Sequence, residues 1–158
     1  MTFSTREQAA MEVLVKMPLD QRPWNEGTTT AEYETTLATI ATGSEPLGVR
    51  WPYVRELIKT RVHRNVESAS LHPSESDRQR DVEEYEQRLG QLLDRSGDAA
   101  APVTLQRLCE LAVSPAQHYT DVLKYLRALV RVLASVCFRF YFTQSSICTG
   151  SKFSTLSS

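Results

Sequence analysis

Cysteine and histidine are the residue types of this chain that could bind a metal ion or act as nucleophiles. The three cysteines stand at positions 109, 137 and 148, with no Cys-x-x-Cys pair among them, and the histidines at positions 63, 72 and 118 are equally scattered. Zinc sites and Cys-His nucleophiles need ligands at closer spacing or joined by tertiary structure. Cys109 lies between Leu108 and Leu111 on an apolar helical stripe, which favours packing in the core. The sequence therefore predicts no metal, no cofactor and a reducing compartment.

Other catalytic patterns are incomplete. Gly43 and Gly48 have the spacing of a phosphate-binding loop, but Val-Arg follows where Lys-Ser/Thr is required. The carboxylates at 83–84 and those of Asp94 and Asp98 fall on a polar helix face or its end, where nothing apolar would raise a pKa for acid catalysis. We predict that the chain is not an enzyme, and a binding or scaffolding module is the class that fits.

The elements that would position any binding site are helices. The chain has 158 residues, 41% of them hydrophobic and 23% charged, which is enough for one domain with its own core. Apolar residues recur at helical spacing in almost every segment, and strict alternation occurs only over residues 137–142. We predict an all-α domain of five or six helices packed as antiparallel pairs.

Composition divides the chain into a domain and a tail. Residues 68–80 are too polar to offset the entropy of packing, so they are predicted to be a flexible insert within a domain spanning 1–135. Residues 136–158 contain four of the five phenylalanines, two of the three cysteines, six serines and no acidic residue. This abrupt shift predicts an atypical, poorly ordered C-terminal tail that is not part of the core.

Charge patterning leaves two further hypotheses open. The net charge of −1 gives no overall basic field, which disfavours nucleic acid as a partner, yet a basic helix face formed by Arg55, Lys59, Arg61 and Arg64 could support a small nucleic-acid-binding domain. Residues 126–142 are apolar but include three arginines, so a membrane span is disfavoured and a surface anchor is the alternative. The N-terminus lacks the pattern of a secretory signal, which predicts an intracellular protein.

The stretch 102–135, PVTLQRLCELAVSPAQHYTDVLKYLRALVRVLAS, resembles the regulatory subunit 2 family of protein phosphatase 4. The resemblance depends on Pro102, Thr104, the QRLCEL run at 106–111, Pro115, Tyr119, the KYLR run at 124–127 and Val132. Weaker similarity covers the Trp51 helix and residues 82–93, so that it extends over about 31–135, with 68–80 as a variable insert. It ends after Ser135, and the long acidic C-terminal region typical of the family is missing from the sequence.

The resemblance implies a non-catalytic subunit that binds the catalytic subunit of protein phosphatase 4 together with a further regulatory subunit. It also implies the nucleus and cytoplasm, including the centrosome, as locations. The metals and hydrolytic residues would then belong to the partner. The residues that we predict as partner contacts are Arg107, Glu110, Tyr119, Lys124, Arg127, Arg131, Arg55 and Lys59.

Each predicted contact has a purely structural alternative. Arg107 and Glu110 lie three residues apart on one helix and could form an exposed ion pair. Tyr119 could pack on Leu123 at the entry of the last helix, which Thr120 is predicted to cap. The basic positions 124, 127 and 131 are either a solvated edge or a docking strip for an acidic surface.

Overall fold

A computed structural model describes residues 5–22, 24, 28–44, 50–68, 76–98 and 100–147, with side chains described except at 5–7, 28–29, 76–77 and 136–147. Six α-helices make up this part of the chain: α1 (Thr5–Lys16), α2 (Thr28–Ala41), α3 (Trp51–Ser68), α4 (Ser76–Arg95), α5 (Leu105–Val113) and α6 (Val122–Ile147). Two 3₁₀ turns, Leu19–Gln21 and Pro115–Gln117, lie between them. The described residues contain no β-strand, so the all-α prediction is confirmed.

The ends of the helices follow from local chemistry. Gly43 and Gly97 have positive φ angles of 82° and 73°, the left-handed conformation that ends α2 and α4 at low cost only for glycine. Asp121 caps α6, because its Oδ1 accepts hydrogen bonds from the backbone N–H groups of Leu123 at 2.8 Å and Lys124 at 3.3 Å. The structure thus corrects the predicted cap: it is Asp121, not Thr120.

Helix α3 is the centre of the fold. It contacts α1, α2, α4 and α5, and the most extensive pairings elsewhere are α2 with α5 and α4 with α6. Helices α3 and α4 run antiparallel, since Trp51 near the start of α3 donates to Ser96 after α4, whereas His63 near the end of α3 contacts Glu86 earlier in α4. The prediction of antiparallel helix pairs is confirmed for α3 and α4.

Helices α4 and α6 instead run in the same direction. Arg78 at the start of α4 pairs with Asp121 at the start of α6, and about two turns further along Arg127 lies over the ring of Tyr85. This is possible because α5 returns the chain between them, as the hydrogen bond from Thr104, just before α5, to the carbonyl of Val132 on α6 shows.

The predicted leucine stripes form one core. Leu108, Leu111, Leu126, Val130 and Leu123 are buried as expected, and Leu105 is half-buried. Completely buried side chains come from α1 through α6 and include Leu14, Leu37, Leu57, Ile58, Val62, Leu93 and Leu129. Each contributes on the order of 1.5–3 kcal/mol by leaving water, so the core holds the helices that carry the surface residues in place.

Two predicted boundaries fall partly on helices. The insert predicted at 68–80 includes the last residue of α3 and the first five of α4, while 69–75 lie outside the described residues. The backbone of 136–147 continues α6, and 148–158 lie outside the described residues. The division at Ser135 therefore stays a prediction.

Candidate partner-binding surfaces

The predicted basic face of α3 borders a buried ionic network. Glu56 is 5% exposed, and its carboxylate lies 3.0 Å from Nη1 of Arg22 and 3.0 Å from Nζ of Lys59. Arg22 also donates to the hydroxyl of Thr60 at 3.1 Å and to the carbonyl of Met17 at 3.1 Å. The network ties the segment after α1 to α3, because a buried guanidinium needs a partner for each of its donors.

Arg55 and Lys59 form ion pairs with acidic residues at, and just after, the end of α4. Each side chain is only 14% exposed. Arg55 lies 2.8 Å from Asp98, and its Nη1 donates to the carbonyl of Gly97 at 3.2 Å; Lys59 lies 2.5 Å from Asp94. The structure brings these two predicted contact residues together, and their ion pairs link α3 to the end of α4. Their role in partner binding stays a prediction.

The remaining cations of α3 are paired as well. Arg61 lies 3.2 Å from Glu34 on α2, and Arg64 lies 2.6 Å from Glu67 and donates to the backbone carbonyls of Asp20 and Arg22. A face whose cations are already bonded within the chain has little positive field to offer to phosphates. The nucleic-acid hypothesis for this face therefore has no structural observation in its favour.

Arg107 and Glu110 form the predicted ion pair on the outer face of α5. The distance is 2.8 Å, and the side chains are 46% and 32% exposed. Gln106 beside them donates to the Glu110 carboxylate at 3.3 Å and to the carbonyl of Ala41 at the end of α2 at 3.4 Å. Exposed pairs of this kind contribute well under 1 kcal/mol, so this polar patch is available to a partner at little cost in stability.

The cations of the first half of α6 are exposed, unlike those of α3. Lys124, Arg127 and Arg131 are all exposed, and α6 contains no acidic residue. Within the described part of the chain, none of the three forms an ion pair; Arg127 lies over the ring of Tyr85 on α4, 5.3 Å from its centroid. We call these three residues the α6 strip. Its spacing of three and four residues places the charges along one side of the helix over about 10 Å.

Tyr119 lies just before α6 in the chain and contacts the core. It is half-buried, and its ring centroid is 6.3 Å from that of Tyr125, so the aromatic partner of Tyr119 is Tyr125. The Tyr125 hydroxyl accepts from Nδ2 of Asn65 at 3.0 Å, and the same nitrogen donates to the carbonyl of Ala112 at 2.7 Å. Burial raises the pKa of Tyr125 to about 12. This arrangement fixes α3, α5 and α6 relative to one another.

Asp121 at the start of α6 is held as a carboxylate. Burial acts to raise its pKa, but the backbone N–H groups of Lys124 and Leu123, together with Arg78, outweigh burial and hold the pKa below its usual value. Asp121 thereby fixes the first turn of α6, on which Lys124 lies.

Within the described residues, no group of three or more His, Cys, Asp or Glu side chains is arranged to hold a metal ion. Cys109 is buried, and burial, reinforced by Glu110, raises the pKa of its thiol to about 12. A thiol with that pKa is protonated at neutral pH and packs as a small apolar group. In the same part of the chain, no helix is long and apolar enough to cross a bilayer.

A groove of about 700 Å³ lies over α3, between the segment that follows α1 and one side of α4. Met17 and Leu19 line one wall, and Glu83, Gly90 and Asp94 line the other. Sequence reasoning missed this groove, because a gap between elements depends on tertiary packing. One signal was present: Gly90 interrupts an otherwise strong helical pattern at a position where a glycine costs about 1 kcal/mol relative to alanine.

Comparison with known protein families gives a match over part of the chain. A family model described as PPP4R2 matches residues 56–138, just over half of the chain, from the second turn of α3 into α6. The match begins later than the predicted similarity at 31–135 and extends three residues beyond Ser135. No curated protein and no solved structure matches the chain.

Proposed function

Because the chain belongs to the PPP4R2 family of protein phosphatase 4 regulatory subunits, we propose that it binds the catalytic subunit of that phosphatase and modulates or directs its activity without catalysing a reaction itself. The match over residues 56–138 carries this proposal. Those residues include most of α3 and all of α4 and α5, so the matched region coincides with the packed helices that present the exposed polar surfaces described above.

The α6 strip is the surface that we propose for this contact. Its cations are exposed and form no ion pair in the described structure, so an acidic partner surface would gain attraction without breaking internal bonds. Arg55 and Lys59 differ, since a partner would have to compete with Asp94, Asp98 and Glu56 for them. The exposed Arg107–Glu110 pair on α5 is the second surface. A further regulatory subunit and a nuclear and cytoplasmic location stay predictions from the family resemblance.

The test is a pull-down with purified protein phosphatase 4 catalytic subunit, followed by calorimetry on the full chain. We expect binding by the wild type. We expect the double variant Lys124→Glu with Arg131→Glu to bind about tenfold more weakly, with the larger loss at low salt. Lys16→Glu is the control, because Lys16 is 77% exposed on α1, far along the chain from the strip.

The possible outcomes test phosphatase binding and the role of the α6 strip separately. No binding by folded wild-type protein would refute the proposed function. Binding by the wild type and the double variant with equal affinity would leave the function standing and reject the α6 strip as the contact. The pair Arg107→Ala with Glu110→Ala then tests the α5 surface in the same assay.

A further inference from the structure

The groove beside α4 has features of a binding site that the proposed function does not use. It is open along one side of α4 from Glu83 to Asp94, a distance of about 16 Å at 1.5 Å per residue. This length matches about five residues of an extended peptide at ~3.3 Å each. We infer that this groove binds a short peptide segment of a partner protein, one that carries a lysine or arginine next to an aliphatic side chain.

The charge of the groove follows from unequal exposure. Asp94 is 57% exposed, whereas Lys59, its ion-pair partner, is 14% exposed and is also bonded to Glu56. Glu83 is exposed, and no ion pair to it occurs among the described residues. An arriving segment therefore meets carboxylates first, while the cations lie beneath them. A basic side chain complements this surface, and an acidic one is repelled.

The opposite wall supplies apolar contact. Met17 and Leu19 are half-buried and line the groove across from α4, in the segment that Arg22 anchors to α3. Methionine is unbranched and adapts its shape to an aliphatic partner. A wall of this kind facing carboxylates calls for both a basic and an aliphatic side chain in the ligand, which is why a free cation or a simple polyamine does not fit as well.

Gly90 places no side chain in the groove that it lines. It lies between Glu83 and Asp94 on the groove side of α4, and a β-carbon built on it meets no atom within 4 Å. Internal packing therefore does not require a glycine here, and the helical backbone conformation does not either. The missing side chain allows a peptide backbone to approach α4 closely.

A displayed library of random twelve-residue peptides provides the probe, selected against the immobilised full chain. We expect enrichment of peptides that combine Lys or Arg with Leu, Ile, Val or Met. Gly90→Arg should lower the affinity of the selected peptides at least tenfold. The arginine side chain enters the groove and carries the same positive charge as the peptides, so it repels them. The space beside Gly90 lets this variant fold, which circular dichroism checks. Ala134→Arg, at an exposed position on α6, adds the same charge elsewhere and should leave affinity unchanged.

A charge exchange tests the chemistry of recognition. Glu83→Lys should weaken the selection of basic residues and keep that of the aliphatic ones, because it replaces one of the two exposed carboxylates with a cation. Absence of enriched peptides, or enriched peptides that bind Gly90→Arg as well as they bind the wild type, would overturn the inference. Acidic peptides selected by the wild type would also overturn it and would point to the α6 strip. None of these outcomes depends on whether the chain binds the phosphatase.

Discussion

Arg22 and Glu56 form a buried ion pair, with Nη1 3.0 Å from Oε2, although 34 residues separate them in sequence. The side chains are each 7% exposed, so both charges have left water and depend on each other. The pair holds the segment after α1 against α3. That segment also carries one wall of the groove, so the ion pair links stability to the proposed peptide site.

The first prediction concerns the loss of this pair. Glu56→Ala leaves the Arg22 guanidinium buried without its countercharge, and we expect the free energy of unfolding to fall by about 3–5 kcal/mol. Urea denaturation followed by circular dichroism measures it. Glu12→Ala is the control, because Glu12 is 55% exposed and its contact with Lys16 at 4.0 Å should be worth less than 1 kcal/mol. Equal losses in both variants would contradict the buried-pair account.

The second prediction concerns Asn65, whose amide joins α5 and α6 to α3. Asn65→Leu leaves the buried carbonyl of Ala112 and the hydroxyl of Tyr125 without this donor, at an expected cost of about 2–3 kcal/mol. Tyr125→Phe removes only the hydroxyl and keeps the bond to Ala112, so its cost should be about 1 kcal/mol. Thermal and urea unfolding of both variants checks the order. A larger loss of stability in Tyr125→Phe than in Asn65→Leu would contradict the role given to the Asn65 amide.

Periodicity was a good guide to the core and a poor guide to the surface. The stripes containing Leu108 and Leu126 are buried as predicted, because a helical repeat of apolar residues fixes which side faces inward whatever the partner. The ion pair of Arg55 could not be predicted from the spacing of residues within α3. Its acidic partner Asp98 lies 43 residues away, and only the antiparallel packing of α3 on α4 brings the two charges to 2.8 Å.

Competition between neighbouring residues explains why the predicted cap of α6 was wrong. Thr120 and Asp121 are both good helix caps, and only the backbone geometry decides that the Asp121 carboxylate reaches the N–H groups of the first turn. The choice between the two caps is made by distances of a few ångströms, which sequence patterns do not specify. Tyr119 packs against the core with its ring centroid 6.3 Å from that of Tyr125, and its predicted contact with Leu123 stays a prediction.

The third prediction concerns the cap of α6. Asp121→Ala should cost about 1 kcal/mol at pH 7, because two backbone donors lose their acceptor. The folded pKa of Asp121 is below its usual value, so its stabilisation is present above about pH 4 and is lost as the pH falls through the folded pKa. The stability difference between the wild type and the variant should therefore shrink under acid conditions. Urea titrations at pH 7, 5 and 3 measure this convergence, and a constant difference would contradict it.

The fourth prediction separates stability from binding at Gly90. Gly90→Ala should raise the free energy of unfolding by about 0.5–1 kcal/mol, because alanine is the better helix former and its β-carbon meets no atom within 4 Å. The melting temperature should rise by roughly 1–4 °C for a domain of this size. Gly43→Ala is the matched control: its φ of 82° is unfavourable for alanine, so the same change there should destabilise the fold. Destabilisation by Gly90→Ala would show that α4 needs the glycine internally.

The last prediction concerns Cys109. Burial raises the pKa of its thiol from 9.0 to about 12, so the folded chain keeps the proton that the unfolded chain releases. Between about pH 9 and 12 the unfolded state therefore binds fewer protons, and the free energy of unfolding falls as the pH rises, by up to ~1.4 kcal/mol per pH unit from this group. Cys109→Ala should flatten that alkaline slope although it lowers stability at pH 7. In a Cys137→Ser, Cys148→Ser background, Cys109 should react with a thiol reagent at pH 8 only after urea unfolding, and fast labelling of the native protein would place the thiol outside the core.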